Sequence, residues 1–371
     1  MKADLLTIGD IRVELGQRCD AELVVSEAYS GLPSLVPVTV WRGPRRGPTV
    51  FITAAVHGDE LNGTGIVREI LLNPSFELAS GSLILVPVVN LLGLERHQRY
   101  LPDRRDLNRS FPGDPDGSLA RRFAHAIFQG VVAPCDWGID LHTAAVRRTN
   151  FPNIRADLKN RAAQRLAVAA GSELIINGKG PRGSLRRSAC AAGCPTIILE
   201  AGEVWKIEPT VVEFGVRAIR NILIDLKMVQ GEPVRAGHQF RVDKTKWVRA
   251  ETGGFLQFHV APGDLVEQGQ TLATSANLHG RDQETILSPL SGVVIGMTTL
   301  PAVTPGDPIC HLAIPKQGID PLRRSRIAAA SGNLLERVRE DLSTSVAVSD
   351  PGLTTACPNP ANEPRTSVRA D

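Results

Sequence analysis

The stretch TVFITAAVHGDE, residues 49–60, decides the fold of this chain. Its apolar part, residues 49–56, has the length and the β-branched content of a buried strand, and helix periodicity over residues 62–72 follows directly. The same alternation recurs downstream, with predicted strands at 83–89, 137–141 and 196–199 and predicted helices at 119–131, 158–170 and 211–228. Alternating strands and helices predict an α/β fold built on a largely parallel sheet.

The sequence changes character on either side of this α/β region. Strand-like pieces at residues 11–15 and 36–41 are expected to add antiparallel strands at one edge. After residue 232, short strands alternate with Gly and Pro turns, which predicts a small all-β, barrel-sandwich-like unit. Beyond Pro315 the chain is polar apart from an amphipathic stretch at 333–342, and we expect residues 345–371 to be mobile. The predicted units are edge strands at 1–45, an α/β domain at 46–231, a β-rich domain at 232–315, and a polar, partly disordered tail at 316–371.

Composition and charge exclude several classes of partner. The 42 basic and 39 acidic residues leave a net charge of +3, and aromatic residues make up 4%, so no nucleic-acid groove or stacking platform is predicted. No apolar run reaches the ~18 residues of a membrane span, and no signal segment is recognised, so we expect a cytoplasmic protein without membrane contact. The six cysteines lack metal-knuckle or redox spacing. These observations favour a small-molecule partner and leave a homo-oligomer open.

Candidate metal ligands follow two of the predicted strands. His57 and Glu60 stand just after the first strand, and Gly58 between them permits a bend that turns both side chains toward one cation. His142 follows the strand at 137–141, and ligands gather at the carboxyl ends of parallel strands. Two nitrogens and one oxygen leave the fourth zinc position open, as in a catalytic site. The alternative is a structural role for a strand-end histidine beside a helix cap.

Acidic residues near these ligands are candidates for supporting roles. Asp140 precedes His142 by two residues on the same strand face and can accept the free ring proton of a ligand histidine. Glu200 follows the strand at 196–199 and is the candidate general base, with Glu203 as its competitor. The structural alternative for either glutamate is a carboxylate that stabilises a helix start.

An arginine-dense loop lies between the two groups of ligands. Residues 99–113 read RYLPDRRDLNRSFPG. Guanidinium groups bind carboxylates through two parallel hydrogen bonds and can polarise a carbonyl group, so this loop favours an acidic substrate. The alternative is a solvated basic loop, which is the preferred interpretation for Arg104.

The order of these motifs resembles the succinylglutamate desuccinylase and aspartoacylase family. The resemblance covers about residues 45–230 and rests on His57-x-x-Glu60, DLNRSFPG at 106–113, Asp140-Leu141-His142 and Leu199-Glu200. It implies a three-layer α/β/α, zinc-carboxypeptidase-like fold with a mixed sheet and a small C-terminal all-β domain, in which residues 46–231 form the zinc hydrolase domain. The implied activity is hydrolysis of the amide bond of a small N-acyl amino acid or similar acylated amine.

The resemblance also implies a cofactor and its ligands. It implies one zinc ion per chain, bound by His57, Glu60 and His142. Glu200 is implied as the general base that also carries the proton to the leaving group.

Substrate-binding roles follow from the same resemblance. Asn108 and Arg109 match the family's pair that grips the substrate. Arg99 or Arg105 matches the catalytic arginine that polarises the carbonyl group, and both assignments stay open. Arg187 corresponds to a further carboxylate-binding arginine.

Other features leave the substrate and even the activity open. The aspartoacylase branch uses a C-terminal tyrosine near its substrate, whereas the tyrosines here, Tyr29 and Tyr100, both lie upstream. Arg155 is a further candidate to line the pocket. A carboxypeptidase, an esterase or a non-catalytic ligand-binding relative are the alternatives. Residues 253–314 also resemble a biotinyl or lipoyl carrier, but no lysine occurs between Lys246 and Lys316 to receive the group, so we expect a lid or an oligomerisation surface instead.

Overall fold

A twelve-stranded mixed sheet organises the part of the chain that the computed structural model describes, which is residues 6–8, 11–27, 31–281, 284–329 and 332–346. A four-stranded antiparallel sheet and a two-stranded hairpin accompany it. The strands are β1 Leu6–Ile8, β2 Ile11–Val13, β3 Arg18–Glu27, β4 Pro33–Arg42, β5 Thr49–Ala54, β6 Ser82–Val86, β7 Trp137–His142, β8 Arg148–Ala156, β9 Leu174–Asn177, β10 Thr196–Glu203, β11 Phe240–Arg249, β12 Gly254–Phe258, β13 Leu265–Val266, β14 Thr271–Ala276, β15 Glu284–Leu287, β16 Gly292–Thr298, β17 Ala302–Val303 and β18 Pro308–Pro315. The α-helices are α1 Asn62–Leu72, α2 Leu91–Leu94, α3 Leu119–Ile127, α4 Arg161–Ala169, α5 Leu185–Ala191, α6 Pro209–Asp225, α7 Asp320–Ile327 and α8 Leu334–Ser343.

The mixed α/β fold predicted from the alternating pattern is confirmed. The parallel strands β6, β5, β7 and β10 lie side by side in the middle of the large sheet, and β4 and β3 extend it in antiparallel fashion beyond β6. The strongly apolar sequence of β5 follows from burial on both faces. Ile52 packs in one core with α1 and α6, whereas its neighbour Phe51 packs in a second core with Phe123 of α3.

Strand β8 was not predicted from the sequence. It lies next to β10 and carries Pro152, which is uncommon inside a sheet because proline has no amide donor. The pairing with β10 shifts register between Glu200 and Gly202, opposite this part of β8. Such an irregularity tolerates the missing donor and re-aims neighbouring side chains. Strand β8 thereby brings Asn150 and Arg155 next to β10.

The C-terminal β-region, expected as a small all-β domain at residues 232–315, shares several strands with the large sheet. It has its own apolar core, but only β12, β14, β15 and β17 form a separate sheet. Strand β11 pairs with β9, so the C-terminal strands β11, β18 and β16 continue the large sheet. Strand β16 also pairs with β8, and this pairing closes a ring of five strands, β8, β9, β11, β18 and β16. The cause is non-local pairing, which turn spacing along the sequence does not reveal.

The first part of the expected polar tail is folded. Helix α8 coincides with the amphipathic stretch and packs on α6, and its Val338 and Leu342 are both 0% exposed in the main core. The rest of the stretch expected to be mobile, residues 347–371, lies outside the described residues. Among the described helices, none combines the length and apolar character required to cross a bilayer.

Candidate metal centre and active site

Parallel pairing of β5, β7 and β10 places the candidate residues at one end of the sheet. His57 follows the last residues of β5, and Ala55 before it takes a positive φ of 48° that turns the chain. Strand β7 ends at His142, and Glu200 of β10 is its direct cross-strand partner. Neighbouring residues of paired strands share a face, so the side chains of His142 and Glu200 point to the same side.

Position 58 must be glycine because the neighbouring backbone leaves no room for a side chain. A Cβ atom at this position would lie 2.2 Å from the carbonyl carbon of Gly93, a backbone atom that cannot move aside. The φ of Gly58 is not positive, so the close approach of the two chain segments explains the glycine better than the sharp bend expected from sequence. The contact holds the turn that carries His57 and Glu60.

The two histidines turn the same ring nitrogen toward one carboxylate. Nδ1 of His57 lies 2.6 Å from Oε1 of Glu60, and Nδ1 of His142 lies 2.7 Å from Oε2. The three side chains are buried, and one ligand atom of each lies within 4.8 Å of the others. The backbone N–H of Thr143 also donates to Glu60 Oε2, at 3.1 Å. The structure thus brings together the three residues that the sequence singled out as metal ligands.

Each histidine has a second carboxylate at its other ring nitrogen. Nε2 of His57 lies 3.2 Å from Oδ1 of Asp106, and Nε2 of His142 lies 2.8 Å from Oδ2 of Asp140. Thr53 donates to the other oxygen of Asp140 at 2.8 Å. These partners fix both rings so that Nδ1 is the atom presented to the centre of the cluster.

The pKa shifts in this cluster arise from opposing effects. Burial alone would lower the pKa values of His57 and His142. For His57, the charges of Glu60 and Asp106 outweigh burial, and its pKa is raised. For His142, the charges of Asp140 and Glu60 do the same, and its pKa is raised well above its ordinary value. Burial would raise the pKa of Glu60, but the two histidines lower it below its usual range. The cluster therefore stabilises positive charge between the imidazoles and the carboxylate.

The residues present fit a zinc ion. Two imidazole nitrogens and one carboxylate oxygen are the donor set of catalytic zinc sites, and both rings have the carboxylate support that such ligands use. Glu60 and Asp106 share the guanidinium of Arg99, and among the described residues the buried Asp140 has no ion pair with an arginine. A divalent cation would compensate the negative charge that these carboxylates bring to neutral imidazoles.

Glu200 and Glu203 have different surroundings. Glu200 accepts a hydrogen bond from Nδ2 of Asn150 at 3.1 Å and pairs with Nε of Arg155 at 3.0 Å. Glu203 pairs with Lys206 at 2.6 Å and accepts from Thr299 at 2.6 Å. Both oxygens of Glu203 are therefore engaged away from the histidines, whereas Glu200 stands beside His142.

The arginine-dense loop sends two of its candidate arginines in different directions. Arg99 lies 3.3 Å from Glu60 and 3.0 Å from Asp106, so its guanidinium borders the cluster of candidate metal ligands. The side chain of Arg105 is 59% exposed and pairs with Asp103 at 3.4 Å. Of these two arginines, Arg99 therefore lies at the cluster of His57, Glu60 and His142, and Arg105 does not.

Asn108 and Arg109 lie at the edge of the same cluster. Nδ2 of Asn108 is 3.5 Å from Nε2 of His142, and its Oδ1 accepts from the backbone of Leu185 at 2.9 Å. Arg109 donates to the carbonyl oxygen of Asn108 at 2.7 Å. Asn108 thus connects the loop to the start of α5.

Helix α5 presents Arg186 to the site more directly than the predicted Arg187. Nη1 of Arg187 donates to the carbonyl oxygen of Gly180 at 3.1 Å. Arg186 is 5% exposed, and its Nε and Nη1 have no hydrogen-bond partner among the described residues. Burial and the charge of Arg155 lower its pKa, whereas Glu200 is among the groups that raise it, which places Arg186 near both.

Sequence reasoning assigned no role to Asp106, Asn150 or Arg186. The usable signal for Asp106 was its place in the DLNR run, two residues before Asn108, as Asp140 stands two residues before His142. Asn150 lies in β8, a strand that was not predicted. Arg186 and Arg187 cannot be told apart without the orientation of α5.

A family model and a curated relative are similar in sequence to this chain. Residues 46–226 match the sequence model of a protein family described as "Succinylglutamate desuccinylase/Aspartoacylase catalytic domain". A curated relative, N-alpha-acetyl-L-2,4-diaminobutyric acid deacetylase of Halomonas elongata, is 28% identical over 251 residues, which are 64% of this chain and 73% of the relative.

Solved structures show the same fold. The succinylglutamate desuccinylase/aspartoacylase of Rhodobacter sphaeroides is 24% identical with a TM-score of 0.72, covering 83% of this chain and 99% of the other. The product-bound Ectoine utilization protein EutE (DoeB) of Ruegeria pomeroyi is 22% identical with a TM-score of 0.71, covering 81% and 97%.

Proposed function

The chain belongs to the succinylglutamate desuccinylase/aspartoacylase family, and on that premise we propose that it is a zinc-dependent deacylase that hydrolyses the amide bond of a small N-acyl amino acid. The main support for this proposal is the position of the two histidines and the two glutamates. Nδ1 of His57 and Nδ1 of His142 converge on Glu60, and Glu200 is the cross-strand neighbour of His142. The arrangement supplies a donor set for zinc and a carboxylate beside it.

The residues that hold the ion are His57, Glu60 and His142. A zinc ion bound there supplies Lewis-acid activation of water and of the substrate carbonyl. Asp106 and Asp140 keep the imidazole rings oriented for it.

Glu200 acts as the general base in this proposal. It accepts the proton of the attacking water and delivers it to the leaving nitrogen, so that the amine departs as a neutral group. Asn150 and Arg155 hold one oxygen each, which keeps the carboxylate beside His142. Glu203 is not assigned this role because its oxygens pair with Lys206 and Thr299.

Arginines supply the positive charge that an acylated amino acid needs. Arg99, beside Glu60, polarises the amide carbonyl. We assign carboxylate binding to Arg186 in place of Arg187, because a buried guanidinium with two unpartnered nitrogens is costly unless a ligand pairs with it. Asn108 and Arg109 keep their expected role at the substrate, at the edge of the cluster.

The test is an assay of the zinc-loaded, full-length protein on matched substrates. The N-acetyl, N-formyl and N-succinyl forms of one amino-acid panel are compared, with N-acetylated 2,4-diaminobutyric acid included because the curated relative is named for it. We expect amine release from at least one N-acyl series to exceed release of terminal residues from long peptides. Faster release from the peptides would make the protein a carboxypeptidase and overturn the proposal.

A further inference from the structure

His311 of β18 stands in a row of cross-strand neighbours that ends beside Glu200. Trp247 pairs with His311, His311 pairs with Gly296, and Gly296 pairs with Asn150. Asn150 donates its hydrogen bond to Glu200. Residues in such a row point to one face of the sheet, so the C-terminal β-region delivers His311 to the face that carries the general base.

Gly296 makes the approach of the two polar side chains possible. A Cβ atom there would lie 2.6 Å from Oδ1 of Asn150 and 3.6 Å from Cβ of His311. The absence of a side chain therefore leaves open the space between Asn150 and His311. The same distances show that both side chains rise on the same side of β16.

The imidazole of His311 is held firmly and keeps its polar atoms free. It stacks on the indole of Trp247, with ring centroids 4.4 Å apart and ring planes 7° from parallel. The guanidinium of Arg148 lies 5.0 Å from the centre of the Trp247 ring. Within the described part of the chain, neither ring nitrogen of His311 has a hydrogen-bond partner.

The charges around His311 favour a neutral donor and an anionic ligand. Burial, together with Arg155 and Arg148, lowers the pKa of His311 to about 4, so the ring is uncharged at neutral pH. Arg155 pairs with Glu200, and Arg186, which has two unpartnered nitrogens, also lies close enough to feel the charge of Glu200. Two guanidinium groups thus stand near one carboxylate on this side of the site, while Arg148 lies nearer to Asp307. A bound carboxylate would balance part of this excess.

We propose that His311 is a specificity-determining residue whose imidazole donates a hydrogen bond to the carboxylate of the N-acyl amino acid, beside the Glu200–Arg155 pair. The identity of the substrate rests on the proposed function. The position of His311 in the row of cross-strand neighbours from Trp247 to Asn150 does not depend on it. Selection for a carboxylate-bearing substrate is thus shared between the central α/β region and the C-terminal β-region.

The test compares each N-acetyl amino acid with the N-acetyl amine that lacks only its carboxylate. The ratio of kcat/KM for acid over amine is measured for the zinc-loaded wild type, His311→Phe and His311→Gln. Phenylalanine keeps the stacking on Trp247 without an N–H, whereas glutamine keeps an N–H donor. His279→Ala, on an exposed turn, is the control and should behave as wild type.

We expect His311→Phe to lower the acid-over-amine ratio about tenfold, mainly through a higher KM for the acid, and His311→Gln to retain part of the preference. A wild-type ratio in His311→Phe would overturn the proposal, because packing would then be the only role of the ring. Binding of the free amino acid to the same proteins is measured by calorimetry in parallel. If no acylated substrate turns over, the proposed function fails. Even then, weaker binding of the amino acid by His311→Phe than by the wild type would uphold the role of His311. Equal binding by the two proteins would refute it.

Discussion

Oδ1 of Asp106 lies 3.2 Å from Nε2 of His57, on the side of the ring opposite to Glu60. Asp140 stands in the same relation to His142, at 2.8 Å. Both rings therefore present Nδ1 to the cluster because a carboxylate holds the other nitrogen. The aspartates determine which ring atoms are available to a cation.

Asp106→Asn should weaken zinc binding by about 10- to 100-fold, because the amide no longer attracts the ring N–H with a full charge. Asparagine keeps an oxygen for the backbone N–H of Asn108, which Asp106 accepts at 2.8 Å, so the loop should stay folded. Competition with a chelator of known affinity measures the effect. Asp114→Asn, in an exposed ion pair with Arg121, is the control. Unchanged affinity in Asp106→Asn would remove this aspartate from the metal centre.

Arg186→Met should raise KM for the N-acyl amino acid at least about tenfold, while the free energy of unfolding stays unchanged or increases. The reason is that the buried guanidinium has two unpartnered nitrogens, so its removal relieves a desolvation cost in the free protein. Arg187→Met, beside it in α5, should change KM less, since Arg187 donates to Gly180. Steady-state kinetics and urea unfolding of both variants decide the matter. A destabilised Arg186→Met protein with normal KM would show a structural role instead.

Acidification should destabilise the wild type more than His311→Phe. The pKa of His311 is lowered to about 4 by burial and by Arg155 and Arg148, whereas an unfolded histidine titrates near 6.5. Between these values the unfolded chain binds a proton that the folded protein does not, so stability falls as pH drops through this window. Phenylalanine does not titrate, and other groups are common to both proteins.

Urea unfolding at pH 7 and pH 5 measures this difference. The extra loss in the wild type should be on the order of 1 kcal/mol at pH 5. Equal losses in both proteins would mean that His311 titrates as it does in the unfolded chain.

Leu342→Ala should reduce the free energy of unfolding by about 2–5 kcal/mol, because it opens a cavity in the main core. Leu342 of α8 is 0% exposed. Leu278→Ala, at a side chain that is 83% exposed, is the matched control and should change stability by no more than about 0.5 kcal/mol. Thermal or urea unfolding of the two variants checks this. If Leu342→Ala were as stable as Leu278→Ala, helix α8 would not be packed firmly on the core.

The sequence was sufficient for features with a local pattern. The strands that carry His57, His142 and Glu200 are apolar runs, and each residue follows or ends its run, so their meeting at one sheet end was predictable. The helix at α8 was visible for the same reason, as an amphipathic stretch.

Features that depend on distant pairing were not predictable. Strand β8 contains Pro152, so its pattern argues against a strand, and only pairing with β10 and β9 makes it one. His311 reaches the site through β16, which joins β18 to β8 across more than a hundred residues of sequence. The choice between Arg186 and Arg187 depends on where α5 begins, which Ser184 sets by accepting from the N–H of Arg187.

The most direct test of the proposed mechanism measures bound zinc and deacylation in the same samples of wild type, Glu200→Gln and His142→Ala. We expect about one zinc ion per chain and turnover for the wild type, the same zinc without turnover for Glu200→Gln, and loss of both for His142→Ala. Full deacylation by Glu200→Gln, or by wild type from which all metal has been removed, would contradict this mechanism.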